Sequence, residues 1–242
     1  ILPLVFTPVP QPSATAESII TPKQLLEDVR EGFGYLVHWT GLFLIALMAS
    51  VVNFLINPAF SLSPLLVTQY FKGGIWHLSM VESVFSIGVV AGGSLLSLWG
   101  GFKHQIKTIL MGIGGMGIGI LLITFAAPEG FSLAVIGMGI TGFMVPIANG
   151  PIISIIQARV APDMQGRVLS VVSSLASAMT PLGMLAAAPV AERFGIRTWF
   201  LLGGISCLLL VALGGSIPAV TQIEEEKVQP LSNKVKQGKG PP

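Results

Sequence analysis

Two long apolar runs joined by a short polar segment decide the fold of this chain. Residues 131–191 read FSLAVIGMGITGFMVPIANGPIISIIQARVAPDMQGRVLSVVSSLASAMTPLGMLAAAPVA. No Asp, Glu, Lys or Arg occurs in residues 130–158 or in residues 168–191. An α-helix rises about 1.5 Å per residue and the hydrocarbon layer of a membrane is about 30 Å thick, so each run is long enough to cross it. Residues 157–167 lie between the runs and are predicted to form a tight turn at the membrane surface.

The composition of the whole chain is that of a membrane protein. Its 242 residues are 52% hydrophobic and only 10% charged, and the mean hydropathy is +0.81. Since a soluble domain is about a quarter charged, this chain could not cover a water-exposed surface. The 29 glycines suit helices that approach each other closely in lipid. The net charge of +2 is spread over loops, so no nucleic-acid partner is predicted.

The apolar runs predict an all-α bundle of six membrane-spanning helices within residues 39–217. The predicted spans are residues 39–71, 78–100, 106–126, 131–157, 168–191 and 198–217. Pro58 and Pro64 predict that the first span is one long, bent helix. Residues 218–242 are polar and are predicted to form a disordered cytoplasmic tail.

The first 38 residues are predicted to contain three parts. The apolar start, residues 1–6, is typical of the end of a helix that begins before this sequence. Residues 7–20 are rich in Pro and Ser, as in an extended linker. From Thr21, an amphipathic helix with Pro22 at its first position is predicted to lie along the membrane surface. Its apolar positions are Leu25, Leu26, Val29, Phe33 and Leu36. A plain connecting helix between two halves of a larger protein is the alternative.

The distribution of basic residues predicts the orientation of the bundle. With six crossings, ten of the thirteen Lys and Arg residues fall on the side of both chain ends, and only Lys72, Arg193 and Arg197 fall on the other. Because basic loops stay inside the cell, both ends are predicted to be cytoplasmic in a multi-pass protein of the cell (inner) membrane. A glycine turn followed by a basic residue ends both the second and the fifth span, which predicts two inverted three-helix repeats.

Four short segments resemble a known family. They are residues 78–88 (LSMVESVFSIG), 99–103 (WGGFK), 145–151 (VPIANGP) and 165–168 (QGRV). With the six spans, they resemble the C-terminal half, helices seven to twelve, of a major facilitator superfamily transporter of the macrolide-efflux-like branch. The resemblance implies that an N-terminal six-helix half, absent from this sequence, completes the fold. Ser97 and Leu98 stand where the family's loop signature usually has an acid, so no charge relay is expected at that turn.

The resemblance implies that the first and fourth spans line a central substrate cavity. The polar residues predicted to line it are Asn53, Asn57, Asn149, Ser154 and Gln157, together with Gln69. Pro146 and Pro151 flank Asn149, and the backbone carbonyls that they free require a cavity or a protein partner. For Asn53 and Asn149, hydrogen bonding between helices is the alternative.

Glu82 is the only acid inside an apolar run, and two interpretations of it stay open. Ionisable groups within a membrane are costly and usually functional, which predicts a proton-coupling carboxylate. The spacing from Ser79 to Glu82 is also that of a capping box, which favours a role at a helix start near the outer surface.

Two other polar groups have competing interpretations. Arg159, Asp163 and Arg167 belong to the predicted cytoplasmic turn. They are predicted to be topology anchors, with a latch between Arg167 and an acid of the absent half as the alternative. The serines at positions 170, 173, 174 and 177 share one helix face, which favours close helix packing over a substrate path.

The predicted function is secondary transport. The resemblance implies efflux of a lipophilic small molecule such as a macrolide, and a proton gradient would drive it because no nucleotide-binding motif is present. The alternatives are a membrane scaffold or assembly module that does not transport, and export of a lipid or siderophore. No catalytic motif occurs, and the single Cys207 and three separated histidines give no metal-ligand spacing, so no enzyme activity, cofactor or metal is predicted.

Overall fold

The computed structural model describes residues 22–217, with side chains from residue 29 onward except that of Asp163. The predictions for residues 1–21 and 218–242 lie outside the described residues. The described part of the chain is helical. Its elements are α1 Pro22–His38, α2 Thr40–Leu65, a π-helical turn Leu66–Tyr70 that continues α2, α3 Ile75–Trp99, α4 Gln105–Phe125, α5 Phe131–Arg159, α6 Pro162–Phe194 and α7 Ile196–Ser216.

Six of these elements are long and apolar enough to cross a membrane. They are α2 with its π-helical turn and the five helices α3 to α7. The prediction of an all-α, multi-pass membrane bundle is therefore confirmed. Consecutive helices cross in alternating directions, so the helix termini collect at two opposite ends of the bundle. The α1 end carries the starts of α2, α4 and α6, and the Tyr70 end carries their C-termini.

The turn predicted at residues 157–167 is much shorter in the structure. α5 continues to Arg159 and α6 begins at Pro162, so only Val160 and Ala161 separate them. Proline is favoured in the first turn of a helix, where its missing N–H costs no hydrogen bond. The side-chain amide of Gln165 donates to the carbonyls of Gln157 and Val160 and thereby satisfies the end of α5. Charged and polar residues of the expected turn are thus helical.

The second span also starts earlier than predicted. α3 begins at Ile75, with Gly74 in an extended conformation before it, and the start has no side-chain cap. Ser79 and Glu82 therefore lie inside the helix, beyond its first turn. The capping-box interpretation of Glu82 is wrong, because a capping box requires its serine at the residue that precedes the helix.

The contacts between helices follow a twofold pattern. α5 packs against α3 and α4, α2 packs against α6 and α7, and α4 packs against α7. Exchanging α2 with α5, α3 with α6 and α4 with α7 converts this set of contacts into itself. Because the two triplets cross in opposite directions, the pattern is the one that inverted three-helix repeats produce.

Two glycines make the closest contacts, one at each of the equivalent helix pairs α3–α5 and α6–α2. A Cβ atom on Gly92 of α3 would overlap the carbonyl oxygen of Phe143 in α5, and one on Gly183 of α6 would overlap that of Phe54 in α2. Pro58 has no N–H to donate, so the carbonyl of Phe54 lacks its normal helical partner, and Gly183 lies against it. The packing role expected of small residues is therefore confirmed at these helix crossings.

The helix α1 docks against the start of α6. Leu36 is completely buried and Trp39 is nearly so, while Gly32 lies against the backbone of Arg167. Val29 and Phe33, which the sequence places on the same apolar face, are exposed. Because Gly32 lets only one edge of α1 approach α6, Leu36 on the apolar face of α1 packs against protein, whereas Val29 and Phe33 on the same face stay exposed.

The Tyr70 end of the bundle is held by one arginine. The guanidinium of Arg197 donates to the carbonyl of Thr124 through Nε at 2.9 Å, and also through Nη2. It stacks on Tyr70, 4.6 Å from the ring centroid, and the Tyr70 hydroxyl donates to the carbonyl of Ala126 at 3.1 Å. Arg197 therefore joins α7, α4 and the π-helical turn.

Replacing Arg197 with methionine is expected to lower the free energy of unfolding by about 2 kcal/mol, because the charge-assisted hydrogen bonds and the cation–π contact are both lost. Thermal unfolding in detergent measures the change. Arg193→Met is the control, since Arg193 is exposed in the last turn of α6. An equal loss of stability in the two variants would contradict this role of Arg197.

Candidate functional site

A cavity of about 290 Å³ lies within the bundle between α2, α3, α4 and α5. Its wall is formed largely by aliphatic residues and by the sulfur-containing side chains of Met48 and Met116. The rings of Phe60 and Phe85 also line it and form an edge-to-face pair with centroids 4.9 Å apart. None of the described residues that line the cavity is ionisable. The cavity can therefore hold an apolar molecule by shape and dispersion, with a few polar contacts to orient it.

Three of the residues predicted to line a cavity come together in this one. Asn53 and Asn57 reach it from α2, and Asn149 reaches it from α5. Ser154 and Gln157 do not line it, because they lie one to two turns further along α5 and are exposed toward the α1 end. Gln69 lies in the π-helical turn and lines a separate, open groove beside Arg197. The placement of Gln69 in the central cavity is therefore wrong.

The three asparagines are held by hydrogen bonds from their side-chain nitrogens. Nδ2 of Asn53 donates to the carbonyl of Ala49 at 2.8 Å, and Nδ2 of Asn149 donates to that of Val145 at 2.9 Å. Nδ2 of Asn57 donates to Oδ1 of Asn53 at 2.9 Å and to the hydroxyl of Thr180 in α6 at 2.8 Å. The amides therefore have fixed orientations at the cavity wall.

Glu82 lies outside the cavity, on an exposed face of α3. It is seven residues from the start of the helix, which corresponds to about 10 Å along the axis. Ser79, Ser83 and Ser86 are also exposed and recur on the same face, and we refer to these three with Glu82 as the polar stripe of α3. Phe85, which lines the cavity, is less than one turn from Glu82.

The four serines of α6 form an equivalent exposed surface. Ser170, Ser173, Ser174 and Ser177 are all exposed, whereas α6 packs through its buried positions, among them Val168, Val171, Gly183 and Ala187. The prediction that these serines serve close helix packing is wrong for the contacts within this chain. We refer to them as the serine stripe of α6. It occupies the helix that is equivalent to α3 in the twofold pattern.

Arg167 of the predicted turn is engaged within the chain itself. Its guanidinium forms an ion pair with Glu31 of α1, and also contacts the sulfur of Met164 at 3.7 Å. Arg159 is the last residue of α5, and the side chain of Asp163 lies outside the described residues. The ion pair joins α6 to α1, and because both side chains are partly exposed it contributes about 1 kcal/mol or less. A latch between Arg167 and an acid of the absent half stays a prediction.

Two features of the site had no signal in the sequence. Thr180 was one small polar residue among many, and only the packing of α6 on α2 brings it to Asn57. The pairing of Phe60 with Phe85 likewise depends on the crossing of two helices. Within residues 22–217, no group of three or more His, Cys, Asp or Glu side chains is placed to bind a metal.

The fold and the cavity define a helical membrane protein of the transporter class, built from two triplets of helices with a cavity between α2, α3, α4 and α5. The chain belongs to the Major Facilitator Superfamily, which it matches over residues 34–239. This is a superfamily of transporters rather than of enzymes.

Among its relatives, the chain is 33% identical to macrolide efflux protein A of Streptococcus pyogenes over 188 residues, which cover 77% of this chain and 46% of the relative. It is 31% identical to macrolide efflux protein A of Enterococcus faecalis over 159 residues, 66% of this chain and 49% of the relative. It is 27% identical to the multidrug efflux pump Tap of Mycolicibacterium fortuitum over 215 residues, 87% of this chain and 51% of the relative. The chain spans about half the length of these curated relatives.

Proposed function

We propose that this chain forms the C-terminal six-helix half of a secondary active transporter that exports lipophilic drugs such as macrolides. The observation that carries the proposal is the uncharged cavity of about 290 Å³ with Asn53, Asn57 and Asn149 in its wall, in a chain related to macrolide and multidrug efflux proteins. The cavity binds part of the substrate, and the partner half provides the rest of the site.

Two polar surfaces of the bundle support the existence of a partner half. The polar stripe of α3 and the serine stripe of α6 lie on helices that cross the membrane, yet they are exposed in this chain. Lipid does not solvate a carboxylate, so a charged group at this depth faces protein or water. A second six-helix half that covers both stripes satisfies this requirement, and the length of the curated relatives leaves room for it.

The proposal includes the energy source and the location of the protein. Glu82 is the acid through which a proton gradient drives export, because it is exposed on the face that the partner half would cover and lies close to the cavity. The protein resides in the cell membrane with both ends of this chain in the cytoplasm, an orientation that the excess of basic residues at the α1 end supports.

Drug accumulation in bacteria tests the proposed function. Cells that express the complete reading frame containing this chain are expected to accumulate several-fold less of a radiolabelled macrolide than cells without it. An uncoupler that collapses the proton gradient is expected to abolish the difference. Equal accumulation, at matched amounts of membrane-inserted protein, would contradict drug export and would favour a scaffold or the export of a different cargo such as a lipid or siderophore.

A further inference from the structure

The open groove beside Arg197 carries an inference about a membrane lipid. It has a volume of about 540 Å³ and lies at the Tyr70 end, between the π-helical turn and the adjoining ends of α4, α6 and α7. We propose that this groove binds an anionic phospholipid, with the phosphate group on Arg197 and an acyl chain along the apolar side chains beside it. The inference goes beyond the proposed function, because it concerns a separate site and a component of the membrane rather than an exported cargo.

The guanidinium of Arg197 is held in place but keeps donors for a ligand. One N–H on Nε and one on Nη2 donate to the carbonyl of Thr124, and the group stacks on the ring of Tyr70. A guanidinium has five N–H groups, and no described residue accepts a hydrogen bond from the other three. These include one N–H on each of Nη1 and Nη2, which form a parallel pair. Two oxygens of one phosphate match such a pair.

The charge of the groove favours an anionic lipid over a zwitterionic one. Arg197 is the only charged side chain among the described residues that line it. The two acids of this end, Glu129 and Glu192, are exposed and do not line the groove. An ammonium group of a zwitterionic lipid would therefore find no carboxylate there, and it would lie near a second positive charge. A lipid with a net negative charge avoids this repulsion.

The position of the groove favours a lipid over a free anion. Arg197 is the second residue of α7 and Thr124 is the last but one of α4, so the guanidinium lies at the level of the helix ends, where lipid headgroups lie. Phe125 and Phe194 line the groove and are 67% and 71% exposed. The exposed large side chains of α7 are all apolar, as on a lipid-facing surface, namely Leu202, Ile205, Leu208, Leu209 and Leu213. A lipid keeps its acyl chains on this surface while its phosphate contacts Arg197.

Thr198 offers a variant that changes the charge of the groove and leaves Arg197 in place. It lines the groove, and its hydroxyl donates to the carbonyl of Phe194 at 2.8 Å. Thr198→Glu adds a carboxylate that repels a phosphate and competes for the N–H groups of Arg197. Because an acid is favourable in the first turn of a helix, this variant is expected to fold. Thr198→Gln has nearly the same size without the charge and is the matched control.

Lipid binding to the complete protein tests the proposal. Native mass spectrometry from detergent measures the apparent dissociation constants of phosphatidylglycerol, which is anionic, and of phosphatidylcholine, which is zwitterionic, with identical acyl chains. The wild type and Thr198→Gln are expected to bind phosphatidylglycerol about fivefold more tightly than phosphatidylcholine. Thr198→Glu is expected to lose this preference. Arg193→Gln removes a positive charge at the same end but outside the groove, and it is expected to keep the preference.

Several results would overturn the inference. Equal binding of the two lipids by the wild type, or a preference that persists in Thr198→Glu, would exclude the groove as the site. An equal loss in Thr198→Glu and Thr198→Gln, or in Thr198→Glu and Arg193→Gln, would show that a charge within the groove is not the cause. A large excess of inorganic phosphate is expected to leave phosphatidylglycerol bound, and displacement of the lipid would identify a site for a free anion instead.

Discussion

Replacing Gly92 with alanine is expected to push α3 away from α5 and to lower the free energy of unfolding by about 3 kcal/mol. The added Cβ would overlap the carbonyl oxygen of Phe143, a backbone atom that cannot move unless the helix moves with it. We therefore expect a loss of stability at the upper end of the range found for overpacked cores. For a unit of this size the unfolding temperature should fall by about 10 °C. Gly183→Ala is expected to behave in the same way at the contact of α6 with α2.

The neighbouring Gly93 provides a matched control. A Cβ at this position meets only the Cβ of Pro146 at 3.8 Å, an ordinary contact, so Gly93→Ala should be neutral or slightly stabilising. The unfolding temperatures of the three purified variants are compared in detergent, with loss of monodispersity as the signal of unfolding. If Gly92→Ala and Gly93→Ala unfolded at the same temperature, the close approach of α3 to α5 at Gly92 would be wrong.

Replacing Glu82 with glutamine is expected to reduce transport driven by a pH gradient by about tenfold or more while leaving substrate binding intact. Glutamine keeps the size and much of the hydrogen bonding of the side chain, but it cannot release a proton at physiological pH. Export from proteoliposomes with an imposed pH gradient measures the driven reaction. Exchange of labelled for unlabelled drug without a gradient measures whether the cavity still binds and moves its substrate.

Glu129→Gln is the matched control for Glu82. Glu129 is also an exposed acid, but it lies in the loop between α4 and α5 rather than within a membrane-spanning helix. This control should transport like the wild type. Gradient-driven export by Glu82→Gln at the wild-type rate would rule out Glu82 as the coupling acid without affecting the proposal of drug export.

The existence of the six spans could be predicted because lipid imposes a simple requirement. A segment that crosses the membrane must be apolar over about twenty residues and must satisfy its own backbone. The helix ends were less predictable, because helices continue beyond the apolar core into polar residues. α6 extends back to Pro162 through the polar residues 162–167, and α3 begins at Ile75, three residues before the predicted span.

The candidate site was partly predictable for a similar reason. A carboxamide is conspicuous in an apolar run, and Asn53, Asn57 and Asn149 do share one cavity in the structure. Their hydrogen-bond partners were not predictable, since Thr180 is 123 residues from Asn57 in the chain. The serine stripe of α6 was misassigned because a face of small polar residues has the same pattern whether it packs within the bundle or remains open.

The π-helical turn at the end of α2 has a consequence for the register of the chain. A π-turn contains one residue more than the α-helical turn that it replaces. Deleting one residue from Leu66–Tyr70 would restore regular α-helix and rotate Tyr70 about 100° around the helix axis. The phenol would then point away from Ala126 and from the guanidinium of Arg197. The extra residue therefore sets the angle at which α2 presents its last aromatic side chain.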